Sequence, residues 1–120
     1  MSANLIYRII DLILCNEVEE IEVIKKQRAN LIIKDKEFFD NSKYITFTVE
    51  PDLKKISAAN FSVMSIMFWE PGRHIPIDCI LHFKDGSIHG LEVYSCDGSA
   101  FDDIDIEGID IVHTFPETAC

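Results

Sequence analysis

The stretch that most constrains this chain is residues 77–95, IDCILHFKDGSIHGLEVYS, which reads as two strands joined by a turn. Lys84-Asp85-Gly86 has the composition of a three-residue hairpin loop, a type I turn followed by Gly86 in the left-handed conformation that costs glycine least. That loop sets Phe83 opposite Ser87, Leu81 opposite His89, Cys79 opposite Leu91 and Ile77 opposite Val93. One face is then nearly continuous hydrocarbon. Asp78, Ile80, His82, Ile88, Gly90, Glu92 and Tyr94 fall on the other, where acid, imidazole and aromatic groups mix as on a surface for recognition or chemistry. A two-residue Asp85-Gly86 loop would set Glu92 against Cys79 and His82 against His89, placing charge on both faces. The three-residue loop is therefore the expectation.

Upstream, Ser2 can cap a helix over residues 3–15 whose Leu5, Ile6, Ile9, Ile10 and Ile13 form one broad apolar stripe. Residues 17–34 admit two readings. Val18, Ile21 and Ile24 have helical spacing, with Glu22 and Lys26 at i and i+4, whereas the β-branched content of 21–24 and 31–33 suits two strands around a turn at 27–30. Residues 34–43 are charged and turn-rich, with Phe38 and Phe39 expected to fold back onto the core. Residues 44–49 alternate as a half-buried strand, Ile45, Phe47 and Val49 against Tyr44, Thr46 and Thr48, until Pro51 ends it. A connector over 52–60 leads to residues 61–69, apolar on both faces and read as an inner strand covered on each side or a strand whose outer face awaits a partner. Turns follow at 70–73 and 96–99. Ile104 and Ile106 alternate with acids like an edge strand, and 109–115 suits a last short strand. The fold class is α+β: an N-terminal helix or helix pair packed on an antiparallel sheet of about four to six strands, with a hairpin at residues 77–95, in one domain over 1–120.

At 120 residues the chain can bury a real core without metal or disulfide support. Hydrophobic residues make up 48% and charged residues 27%, which marks a folded protein. Twenty-one acids against 11 bases give a net charge of -10 and a pI near 4.6. Such a chain repels phosphate backbones and anionic membranes, so direct nucleic-acid or membrane binding is disfavoured. A basic protein is the natural complement, with ordinary surface solvation as the plainer account of the same acidity. Cys15, Cys79, Cys96 and Cys120 include no C-x-x-C pair, and the start of the chain lacks a signal-peptide pattern, so a reducing cytoplasm is expected. The longest apolar segment, 5–14, is interrupted by Tyr7, Arg8 and Asp11 and falls well short of the roughly 20 residues of a membrane span.

Candidate sites divide by geometry. Cys79, His82, His89 and His74 are zinc-type ligands, but residues three apart on a strand point to opposite faces. Asp97, Ser99, Asp102, Asp103, Asp105 and Glu107 lack the spacing of a calcium loop. Asp78, His82 and Glu92 share a face and are raw material for acid–base catalysis. That small-enzyme reading is the alternative, along with a self-associating scaffold. No nucleophile elbow or phosphate loop occurs, so no catalytic residue, metal or cofactor is expected. The acidic run Asp97, Asp102, Asp103, Asp105, Glu107 and Asp110, with Trp69, Tyr94, Glu92 and Asp78, reads instead as a surface where aromatics anchor and carboxylates steer a basic partner.

Residues 80–98, ILHFKDGSIHGLEVYSCDG, resemble small bacterial immunity proteins in their strand, charged-Gly turn, LE-aliphatic-Tyr strand and second Asp-Gly turn. The size and acidity are similar to immunity proteins of contact-dependent growth inhibition and related polymorphic toxin systems. The resemblance covers about a sixth of the chain and carries across no binding residue. It implies a cytoplasmic protein, not an enzyme, that binds the delivered C-terminal toxin domain of a sibling cell and blocks its active site. Such toxins are frequently basic nucleases, including RNases that cleave tRNA. The oligomeric state is left open by this reading.

Overall fold

The computed structural model describes residues 2–15, 20–57 and 77–101, and the backbone alone of 61–68 and 114–115. Helix α1 (Ala3–Ile13) starts where the Ser2 hydroxyl accepts the Leu5 N–H at 3.2 Å, satisfying one of the free donors of a helix start. Its stripe Leu5, Ile6, Ile9, Ile10 and Ile13 is buried throughout. The helix ends two residues before the expected boundary, with Leu14 as its C-cap.

Helix α2 (Ile21–Ala29) and strand β1 (Ile32–Phe38) divide the ambiguous segment between its two readings. The helical reading applies to the first part and the strand reading to the second. Glu20 enters α2 with a left-handed backbone (φ 59). Its carboxylate accepts the Ser57 N–H and the Ser57 hydroxyl, both at 2.9 Å, fastening the connector to the helix. Those two hydrogen bonds favour the charged form and hold the Glu20 carboxyl below its ordinary range.

Strands β2 (Ser42–Thr48), β3 (Phe61–Phe68), β4 (Ile77–Lys84), β5 (Ser87–Ser95) and β6 (Thr114–Phe115) complete one sheet. Its order is β1-β2-β5-β4-β3-β6, with every described pairing antiparallel. The period-2 alternation of the sequence sends Ile45 and Phe47, Cys79 and Leu81, and Leu91 and Val93 to one side. Both helices cover that side, and all of these residues join one core cluster with the α1 stripe and Ile24. The strand expected at 61–69 is β3, flanked by β4 and β6. The expected turn at 70–73 and edge strand near 104–106 lie outside the described residues.

Two expectations are corrected. The hairpin loop has two residues, not three: Lys84 pairs with Ser87 across Asp85 (φ 53) and Gly86 (φ 80). Two consecutive positive φ values make a type I′ turn, whose twist matches that of the strands. A bulge then places His89 as an extra residue between the pairs Phe83–Ile88 and His82–Gly90. This one-residue insertion restores the alternation a two-residue loop alone would break. Leu81 therefore faces Leu91 and Cys79 faces Val93, while Ile88 moves to the core face and is buried. The second correction is to Phe38 and Phe39, which do not fold onto the core and are 46% and 59% exposed. They sit at the edge hairpin, where Lys43 takes the buried place opposite Phe38. The Lys43 ammonium donates to the Phe39 carbonyl and lies 5.0 Å from the Phe101 ring centre.

A buried glutamine joins the layers. Gln27 has no exposed surface. Its amide donates to Lys54 O at 3.1 Å and Gly86 O at 3.0 Å, and its oxygen accepts the Ile88 N–H at 2.8 Å. The connector closes beneath the same turn through Ile56 N–H to Gly86 O at 2.9 Å. A Cβ at Gly86 would stand 2.7 Å from Ile56 O, so both its φ and its surroundings require glycine.

Candidate interaction surface

The face of the sheet turned away from the helices is assembled in cross-strand rows. Residues paired across neighbouring strands share a face. One row runs Asp35, Thr46, Gly90, His82; the next Glu37, Tyr44, Glu92, Ile80; the third Ser42, Tyr94, Asp78. Asp35 and Glu37 reach this side because the β1–β2 register shifts between Ile33 and Asp35. Unbroken alternation would have sent Asp35 to the core side with Ile33. Among the described residues no helix covers this face, and Tyr44, Asp78, His82, Glu92 and Tyr94 are half-buried on it.

At its centre Gly90 opens a seat for an aromatic ring. A Cβ at Gly90 would collide with the Tyr44 hydroxyl, so the phenol lies directly over the β5 backbone. The His82 ring stands 6.0 Å from that of Tyr44 at an interplanar angle of 30°, and the two form a shelf across β2, β5 and β4. His82 Nε2 lies 3.1 Å from Glu92 Oε1, a hydrogen bond in which the imidazole donates because a carboxylate can only accept. Burial first, then the charges of Glu92 and Glu37, push the Tyr44 phenol above its ordinary pKa. Along the face, Tyr94 donates to Asp78 Oδ2 at 2.9 Å. That bond, with burial, pushes Tyr94 up to about 12.

The Asp78, His82 and Glu92 group is thereby split. His82 and Glu92 come together, while Asp78 belongs to Tyr94. Asp78 and His82 stand four residues apart on β4, roughly 13 Å along an extended chain. Cys79 lies in the core and His82 on the opposite face, so the two cannot share an ion. Among the described residues no group of three His, Cys, Asp or Glu side chains could hold a metal.

Of the proposed partner-binding residues, Asp78, Glu92 and Tyr94 share this face. Asp97 is exposed on the turn after β5, and its Oδ1 accepts the Ser99 N–H at 2.9 Å. The Ser99 backbone and hydroxyl hold the Asp97 carboxyl below the usual range, and its local work is closing that turn. Trp69, Asp102, Asp103, Asp105, Glu107 and Asp110 lie outside the described residues. Charge is unevenly divided along the chain: residues 61–120 carry eleven acids and two bases, residues 1–60 ten acids and nine bases. Tyr44, Asp35 and Glu37 were not among the site residues read from sequence. The alternation of 44–49 puts Tyr44 on the outer face, but the glycine seat depends on a cross-strand register that sequence does not display.

Cys79 is a buried thiol and Cys96 an exposed one. Among the described residues no helix is long and apolar enough to cross a membrane. No protein-family model, curated protein or solved structure matches this chain.

Proposed function

We propose that this protein is an inhibitory binding protein that neutralises a basic toxin domain, in the manner of the immunity proteins it resembles, and performs no reaction itself. The observation that carries the reading is the outer sheet face. Its three rows hold the carboxylates of Asp35, Glu37, Asp78 and Glu92, two tyrosines and a histidine, and no lysine or arginine. Rigid aromatics bury much area at small entropic cost and anchor interfaces. Carboxylates around them steer a cationic partner and exclude an anionic one. A nuclease must present cations to its phosphate substrate, so an acidic face can occupy the same track. RNases, including those acting on tRNA, are the toxin class this fits. The division of Asp78 from His82 weighs against the acid–base enzyme. A cytoplasmic location goes with this reading.

The test is to purify the chain and mix it with the C-terminal domain of the large secreted protein encoded beside it. A one-to-one complex and loss of RNA cleavage are expected. The reading falls if the neighbouring gene encodes no such domain, or if the domain cleaves RNA unhindered in the presence of the protein.

A further inference from the structure

We propose that the row Glu37, Tyr44, Glu92 is a receptor for an arginine side chain presented by a basic protein partner. The identity of that partner rests on the inhibitor reading; the chemistry of the site stands on the following geometry. The hydroxyl end of the Tyr44 ring lies over Gly90, where a Cβ would stand. Its cross-strand neighbours on either side are Glu37 on β1 and Glu92 on β5, a spacing of about 5 Å between Cβ atoms. A platform ring between two carboxylates is the set of parts a guanidinium prefers, because its plane stacks on the ring while its N–H fork meets carboxylate oxygens.

The molecule already assembles these parts elsewhere around an arginine of its own. Between α1 and α2, the Arg28 guanidinium lies 4.5 Å from the Tyr7 ring centre. Its Nε and a terminal nitrogen donate to the two oxygens of Asp11 at 2.8 and 3.1 Å. The Tyr44 site repeats this chemistry with one more carboxylate. Among the described residues no lysine or arginine pairs with Glu37, Tyr44 or Glu92, and the one described side-chain partner of Glu92 is the His82 imidazole of the neighbouring row. The acidity of the whole molecule favours a basic protein as the bearer of the cation that completes the site.

The experiment titrates the full chain with a short Gly-Arg repeat peptide and, separately, its Gly-Lys counterpart, reading backbone amide and aromatic side-chain NMR signals. The Tyr44 ring signals should move and saturate, with the arginine peptide binding about fivefold or more tightly than the lysine peptide, since an ammonium neither stacks nor forks. Glu37→Gln with Glu92→Gln should weaken the arginine peptide about tenfold, and Asp52→Asn, exposed on the connector, should leave it unchanged. Gly90→Ala should lift the Tyr44 ring and lose the same site; if that variant does not fold, the Glu37→Gln with Glu92→Gln variant decides alone. Shifts centred on residues 97–101 with Tyr44 unmoved, equal affinity for both peptides, or an unaffected double variant would each overturn the site. The toxin domain separates the two claims. If it binds the wild-type chain and the double variant equally, the arginine receptor falls and the inhibitor reading stands. If it does not bind and the arginine peptide still seats on Tyr44, the reverse holds.

Discussion

Gln27 shows how one polar side chain can determine the contact between two layers. Three backbone groups from two different segments depend on its amide. Gln27→Ala leaves the buried Ile88 N–H without a partner and takes a donor from Lys54 O and from Gly86 O, which keeps the Ile56 N–H, so a loss of about 3 kcal/mol is expected in urea unfolding. Gln27→Met, which restores volume but not hydrogen bonds, should recover little of it; full recovery would show that packing alone fastens the turn. This role was not legible beforehand, because a glutamine in a charged helix reads as surface and its partners are remote in sequence. Tyr94 carries a second residue-scale prediction. Its hydrogen bond to Asp78 favours the protonated phenol, so its folded pKa is raised to about 12. The stabilisation is complete below the unfolded value near 10 and is lost as pH rises through the folded one. An NMR titration of the phenol carbon should give a midpoint near 12 in the wild type, and Asp78→Ala should bring it down towards the ordinary value. An unmoved midpoint in that variant would remove Asp78 as the cause.

At the scale of elements, periodicity was readable and exceptions to it were not. The stripe of α1 and the alternation of β2, β4 and the second half of β5 each identified the side that would be buried, and the structure buries that side. The loop of the hairpin was missed because a regular ladder was assumed, and a bulge at His89 breaks it. A similar shift in β1, between Ile33 and Asp35, sends Lys36 to the core side and Glu37 to the outer face. β1 is the end strand of the sheet and exposes much of its length. Two copies paired through this edge about a two-fold axis must set residues of one face opposite each other. Centring on Asp35 opposes Lys34 to Lys36, and centring on Lys36 opposes Asp35 to Glu37. Like charges and a bulge guard the edge against self-pairing, which weighs against a self-associating scaffold. Lys34→Thr with Lys36→Val should therefore raise the mass seen by sedimentation above that of the wild type. An unchanged mass would place the protection somewhere other than these lysines.

For the whole molecule, the net charge of -10 was plain from composition, but where it would act was not. The acidic run of the C-terminal third is dense in sequence, whereas the outer face draws its carboxylates from three strands, β1, β4 and β5, and shows itself only once the strands are ordered. The two locations make different demands on association. Long-range steering depends on total charge and is screened within about 10 Å at 0.1 M salt, whichever patch makes contact. The on-rate with a cognate basic domain should fall roughly tenfold or more between about 0.02 and 0.5 M salt. Reversing charge by Asp35→Lys with Glu37→Lys and by Asp102→Lys with Asp105→Lys changes the net charge equally, so both variants should slow association alike. Only the pair that touches the partner should also speed dissociation, because lost contacts act on the off-rate. Faster dissociation in the β1 variant alone assigns contact to the outer face. The opposite result returns it to the acidic run, and an on-rate indifferent to salt removes electrostatic steering altogether.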